Sequence, residues 1–381
     1  MTPSQSKATT AKQRLRLSLD SWHHLRRRLD AENTSVPWRT GLAYWIGGVS
    51  HTLLTRIQHA SFAEKIRSAV PAPPLFLLGF WRSGTTFLHE LFCCDPRFGF
   101  ASTYACLNTA HFLLTEQWMR QRPIKTALRP MDSMRYSWAS PQEDEFALLN
   151  LGAPSAYEAL IFPSLMRDPR LLLDLRRRPS PELTRWEAAL RYFIRLLTVQ
   201  QENAKQAKAI VLKSPTHGFR LPILPSMFPR ARYVVIDRNP YEVFASNLKL
   251  WLTLLDMYSV QSISTEEVEG FILKAYVLHE DAIAEGFRLV DAKRITRVRY
   301  EELVADPFRE MARLYGDLEF EDFDAVRPAL GSYLTSVAGH TRNRLRITPA
   351  QKERVSSAWG EIIRSKGYIW PDHHLTVAQN P

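Results

Sequence analysis

The stretch LFLLGFWRSGTTFLHELF, residues 75–92, decides the fold. Its opening apolar run is short enough for a strand buried on both faces, and it stops at Gly79. Beyond the turn, Phe87, Leu88, Leu91 and Phe92 recur at helical spacing. A strand, a glycine turn and a helix N-terminus together cradle a phosphate, because backbone N–H groups converge on the anion and the helix dipole favours negative charge. The stretch falls one residue short of the phosphate-loop pattern G-x-x-x-x-G-K-[ST]: Gly79 and Gly84 are correctly spaced, but Thr85 stands at the lysine position. Arg82 offers a fork-shaped cation to the same anion, and Ser83, Gly84, Thr85 and Thr86 complete the loop. What is lost is the reach along a polyphosphate tail. That suits a nucleotide whose 5′ end carries one phosphate and a transferable group.

Working outward, AIVLK at 209–213, RYVVID at 232–237 and RITRVRY at 294–300 read as further buried parallel strands. Val243, Phe244, Leu248, Trp251, Leu252 and Leu255 give the third strand a following helix, and Leu183, Trp186, Leu190, Phe193 and Leu197 give the second a preceding one. The expectation is an α/β fold with a P-loop-NTPase-like parallel sheet flanked by helices. Roughly eighty to a hundred residues separate the first helix from the second strand, too many for an ordinary connection, so a largely helical cap is inserted there. The expected organisation is a helical extension over 1–70 and one domain over 71–381, with 100–180 as the cap. Phe98, Phe100, Tyr104, Phe112, Trp118, Tyr136, Trp138, Phe146, Tyr157 and Phe162 could line an apolar pocket in it or simply pack it.

The 381 residues, 45% hydrophobic, suffice for a large core. Fifty basic against 39 acidic side chains give a net charge of +11, which favours anionic partners without choosing among them. Cys93, Cys94 and Cys106 form neither a disulfide framework nor a zinc spacing. With no signal-like or bilayer-length apolar run, the chain reads as soluble and cytoplasmic. Leu15, Leu19, Trp22, Leu25 and Leu29 make residues 13–30 a basic amphipathic helix, read first as docked on the core and alternatively as a membrane-surface contact.

WRSGTTFLHELF resembles the 5′-phosphosulfate loop of sulfotransferases, and RYVVIDRNPYEVFASNLKLW resembles their 3′-phosphate signature, with Arg238 after the strand and Ser246 eight residues later. VLKSPTH at 211–217 is similar to the family's segment bearing a catalytic lysine, here Lys213. The resemblance implies 3′-phosphoadenosine 5′-phosphosulfate (PAPS) as cosubstrate, no required metal and no nucleic-acid partner. The acceptor would be a hydroxyl of a small molecule, lipid or carbohydrate. Lys213 would meet the negative charge that grows as the S–O bond breaks. The late basic segment HTRNRLR, with Arg342, Arg344 and Arg346, would close the 3′ site or be a solvated turn. YEELVADP, 300–307, is given a structural role.

Sulfuryl transfer needs a group to take the acceptor's proton. His217 follows Lys213 by four residues, where the related K-T-H segment has two, so it stands as base or as packing residue. The rival is PQEDEF at 141–146, with Glu143, Asp144 and Glu145; Ser140, Pro141 and Glu143 equally spell a helix-capping box. His89 and His111 are weaker candidates. Two other readings stand beside this one: a P-loop kinase or NTPase with Asp237 on a metal, and a non-catalytic anion or nucleic-acid binder.

Overall fold

The computed structural model describes residues 15–31, 35–122, 127–128, 135–201, 209–338, 345–371 and 375–377. Among them, strands β1 (Pro74–Leu78), β2 (Phe98–Phe100), β3 (Ala209–Lys213), β4 (Arg232–Asp237) and β5 (Ile295–Arg299) form one parallel sheet. Its order is β2-β3-β1-β4-β5. Four of these strands match the apolar runs to within a residue at each end; β2, the three-residue FGF, carries too little pattern to be read from sequence.

The unbroken LFLL run makes sense because β1 is central and covered on both faces. Leu75 and Leu77 pack on one side with Leu88, Leu91 and Phe92 of helix α3 (Thr85–Cys93). Phe76 and Leu78 pack on the other with Trp186, Leu190, Phe193 and Leu197 of helix α5 (Ser180–Gln200). All four β1 side chains are fully buried. A further core joins helix α6 (Pro240–Tyr258), helix α7 (Thr265–Leu289) and helix α8 (Pro349–Ser365) through Phe244, Trp251, Phe271 and Trp359.

The N-terminal region contributes helix α1 (Leu19–Ala31) and helix α2 (Trp38–Ser61). Trp22, Leu25 and Leu29 of α1 are buried, and Trp22 stacks on Tyr44 of α2 at 5.1 Å. The apolar side of the basic helix therefore faces protein, as the docked reading expects. The helix starts at Leu19 rather than at 13: residues 15–18 are not helical although Leu15 and Leu17 are buried, and 13 and 14 lie outside the described residues.

Short helices fill the cap, among them α4 (Glu145–Asn150). Its aromatics mostly build core: Tyr104, Phe112, Tyr157 and Phe162 are buried, whereas Trp118 and Trp138 are exposed. The Ser140 capping box does not form. The Ser140 hydroxyl accepts from the Ser137 N–H at 3.0 Å, Pro141 bridges to Ser102, and α4 starts later, at Glu145.

The sheet register positions the site. Leu77 lies opposite Lys213 on one side and Val234 on the other, so the carboxyl ends of β3, β1 and β4 are adjacent. The chain runs from β3 on one flank of β1 to β4 on the other, the reversal at which open α/β sheets place ligands.

Leu77→Ala should cost about 2–5 kcal/mol, while Leu289→Ala on the exposed end of α7 should change stability by under about 0.5 kcal/mol. Urea unfolding midpoints of the two variants check this difference.

Candidate active site

The turn after β1 is unusual in its backbone. Gly84 has φ +101°, and Arg82, a non-glycine residue, has φ +68°. Gly84 is also crowded: a Cβ there would lie 2.3 Å from the Tyr300 ring. A Cβ on Gly79 would lie 2.5 Å from the Ser83 hydroxyl oxygen. Both glycines are therefore fixed by close packing as well as by spacing. Gly84 supplies no side-chain cap to α3, whose first N–H groups lack intrahelical carbonyls, and the buried Ser83 Oγ has no partner among the described residues.

Arg238 follows β4, and Asn239 caps α6 by accepting from the Tyr241 N–H, with Pro240 in the first turn. Two turns on, Ser246 accepts a 2.9 Å hydrogen bond from Arg82 Nε. Arg238 Nη1 donates to the Arg82 carbonyl at 3.0 Å, its Nε donates to Glu242 at 3.0 Å, and its guanidinium stacks 4.6 Å from the Tyr300 ring centroid. Arg82, expected at the 5′ phosphate, thus touches the serine expected at the 3′ phosphate. The two candidate anion sites share a wall. Arg342 and Arg344 lie outside the described residues, and Arg346 is exposed on strand Leu345–Ile347.

Lys213 ends β3 with its side chain nearly buried. Its Nζ donates to Glu143 Oε1 at 3.0 Å and reaches Thr86 Oγ1 of the loop at 3.5 Å. Glu143 Oε2 accepts from the Tyr157 hydroxyl. Burial, reinforced by the Glu143 carboxylate, pushes the Tyr157 phenol far above its ordinary pKa and keeps it a donor. A carboxylate offers about four lone-pair sites, so these contacts leave Glu143 further accepting capacity. Its side chain retains 15% exposure, whereas those of Asp144 and Glu145 have none.

A profile of the sulfotransferase family matches residues 73–324. The chain belongs to the sulfotransferase family. It is 35% identical over 334 residues to the omega-hydroxy-beta-dihydromenaquinone-9 sulfotransferase Stf3 of Mycobacterium tuberculosis (strain CDC 1551 / Oshkosh), covering 87% of this chain and 84% of the relative. The Stf3 of Mycobacterium bovis matches equally. Among solved structures, sulfotransferase STF9 from Mycobacterium avium superposes with a TM-score of 0.65 at 19% identity, over 93% of each chain. STF1 from Mycobacterium tuberculosis H37Rv gives 0.63 at 19%, over 89% of this chain and 92% of its own. These likenesses show the P-loop-like sulfotransferase fold.

In this sulfotransferase the other two acids of PQEDEF are sunk beneath the cap and bound to the segment after β3. Asp144 accepts from Ser214 Oγ at 3.0 Å and lies 2.6 Å from His217 Nε2. Glu145 accepts from Arg220 at 2.6 and 2.9 Å, from Thr216 at 2.8 Å and from Ser155 at 2.6 Å. Burial works to raise both carboxyl pKa values; His217 and Ser214 for Asp144, and Arg220 and Ser155 for Glu145, outweigh it and hold both below the usual range. Ser214 spends its hydroxyl on Asp144 and on the Glu145 N–H, and the following helix begins at Thr216.

His217 is completely buried. Its Nε2 is engaged by Asp144, and its Nδ1 is enclosed without a partner among the described residues. His89 is buried beside the site, where desolvation first and the Lys213 ammonium second hold it neutral against the opposing pull of Asp144. His111 is lowered by burial and then by Arg16. Asp237, the metal ligand of a kinase reading, has its oxygens on Arg297 at 2.5 Å and Lys366 at 2.7 Å. The sequence offers Tyr157 only as a pocket or packing aromatic and Tyr300 only as a structural residue; their contacts with Glu143 and Arg238 join segments distant in the chain, which no local spacing announces.

Arg220→Met should cost about 3–5 kcal/mol, because it leaves the Glu145 carboxylate buried without its cation. The depressed carboxyls also set the acid response: their stabilisation is complete above the ordinary values of 3.8 for Asp144 and 4.5 for Glu145 and is lost as pH falls through the lower folded values. Urea titrations from neutral to acid pH should show stability falling in that window, with a shallower fall in Arg220→Met.

Proposed function

We propose that this sulfotransferase moves a sulfuryl group from PAPS to the hydroxyl of an apolar, lipid-like acceptor, with Glu143 taking the proton. The observation that carries this reading is the position of Lys213, whose ammonium contacts the loop at Thr86 and the Glu143 carboxylate together. That double contact supports reading Glu143 as the base and Lys213 as the cation for the leaving phosphate.

The residues present fit the cosubstrate. The Ser83 hydroxyl, without a partner among the described residues, the loop N–H groups and the threonines of α3 would hold its 5′ phosphosulfate. Arg238, Ser246 and Arg82 would hold its 3′ phosphate, with Arg342 and Arg344 proposed to close that end. When bound, PAPS supplies the sulfonate and a phosphate leaving group. Lys213 supplies positive charge beside the loop. Glu143 receives the acceptor's hydroxyl proton on a carboxylate oxygen, and Tyr157 fixes the orientation of that carboxylate through its hydrogen bond. His217 and Glu145 are assigned to holding the segment after β3 against the cap. The acceptor class draws support from the relative that sulfates a hydroxylated menaquinone.

Glu143→Gln should lower kcat by about 100-fold or more while 3′,5′-adenosine bisphosphate binds unchanged by calorimetry. Full turnover in that variant would remove Glu143 from the mechanism. His217→Gln should lower the melting temperature and leave the pH profile of kcat in place. Arg238→Ala should weaken bisphosphate binding about 10- to 100-fold, the loss typical of a charged hydrogen-bonding group; undiminished affinity would take Arg238 out of the site.

A further inference from the structure

Helix α2 packs on the protein by one side and turns an apolar stripe outward. Tyr44, Gly48, His51 and Gln58 are buried against the protein. On the other side Trp38, Leu42, Trp45, Ile46, Val49, Leu53 and Ile57 are all exposed, by 38% to 72%. At 100° per residue these seven span an arc of about 120°. A helix on a water-facing surface ordinarily places charged residues there. An exposed stripe of this extent marks a surface that something covers.

We propose that α2 is a membrane-docking helix, lying along an anionic lipid surface with its outer face in the headgroup boundary. The side chains on this face argue for that occupant. Its apolar residues include two tryptophans, the side chain that anchors at membrane interfaces. The charged residues of α2 are Arg39 and Arg56, both exposed; Arg56 shares the stripe, Arg39 lies at its edge and stacks 5.4 Å from the Trp38 ring, and the helix contains no aspartate or glutamate. Cations flanking an apolar band complement anionic headgroups. A second copy of this chain docked by the same face would oppose arginine to arginine without an acid of α2 to pair them. Insertion across a bilayer does not fit either, since among the described residues no helix is long and apolar enough to span one.

A second element repeats the chemistry. Helix Phe112–Arg120 exposes Leu114 and Trp118, and the Arg122 guanidinium stacks 3.6 Å from the Trp118 ring centroid. The buried Gln58 ties this element to α2: its Nε2 donates to the Thr109 carbonyl at 2.9 Å, and its Oε1 accepts from the Leu113 N–H at 2.9 Å. The basic helix α1, the membrane candidate suggested by sequence, serves as the platform. Its backbone at Leu19 approaches so closely that a Cβ on Gly48 would lie 3.0 Å from the Leu19 Cα. Docking is independent of the transfer reaction, and vesicle binding measures it without turnover.

The test is co-sedimentation of the full chain with phosphatidylcholine vesicles containing or lacking phosphatidylglycerol. Wild type should pellet with the anionic vesicles, and Leu42→Glu/Leu53→Glu should reduce partitioning at least about tenfold at an unchanged melting temperature. Arg39→Glu/Arg56→Glu should abolish the preference for phosphatidylglycerol. As a readout that needs no acidic variant, brominated phospholipid should quench wild-type tryptophan fluorescence, and Trp38→Phe/Trp45→Phe should remove most of that quenching. Failure of wild type to pellet with anionic vesicles would overturn the proposal. So would equal pelleting of Leu42→Glu/Leu53→Glu, or light scattering that shows a wild-type dimer dissolved by that substitution without vesicle binding.

Discussion

Two adjacent carboxylates buried in the cap must each find a partner, and the way they do so organises the candidate active site. Asp144 and Glu145 draw Ser214, Thr216, His217 and Arg220 onto themselves, so the segment leaving β3 is clamped to the cap. An ion in this interior without a counter-charge is strongly destabilising, which makes the clamp specific in register. Glu143 precedes the clamped pair directly and is thereby delivered to Lys213 at the end of the same strand. Of three consecutive acids, two set position and the third retains contact with the outside.

The features legible in the sequence are those with local physical signatures. Buried strands announce themselves as apolar runs, Gly79 and Gly84 as a turn between strand and helix, and Asn239–Pro240 as a helix start. Features created by contacts distant in sequence were not legible. The roles of Asp144 and His217 are set by their meeting across seventy-three residues, and nothing in VLKSPTH distinguishes a catalytic histidine from a clamped one. The Ser140 capping box misleads for a related reason: its local pattern is sound, but pairing of Ser102 with Pro141 occupies that backbone and postpones the helix. The cap aromatics likewise fill core where composition alone allowed a pocket.

The two N-terminal helices show the same limit in another form. Periodicity reveals α1 because one side is apolar and the other charged, and such a helix docks on the protein. In α2 the side packed on the protein carries Gly48, His51 and Gln58 while the large apolar residues turn outward, so the pattern does not announce which side docks. Burial separates the two faces: one carries Tyr44 and Gln58 against the protein, the other Trp38 and Leu53 to the surroundings.

The contact between Gly84 and Tyr300 joins parts of the chain made at very different times on the ribosome. The loop emerges early, yet its aromatic wall, which also stacks on Arg238, is translated some two hundred residues later, a delay on the order of tens of seconds. Until then the loop lacks its aromatic wall, so its final packing is completed only after that later stretch has been made.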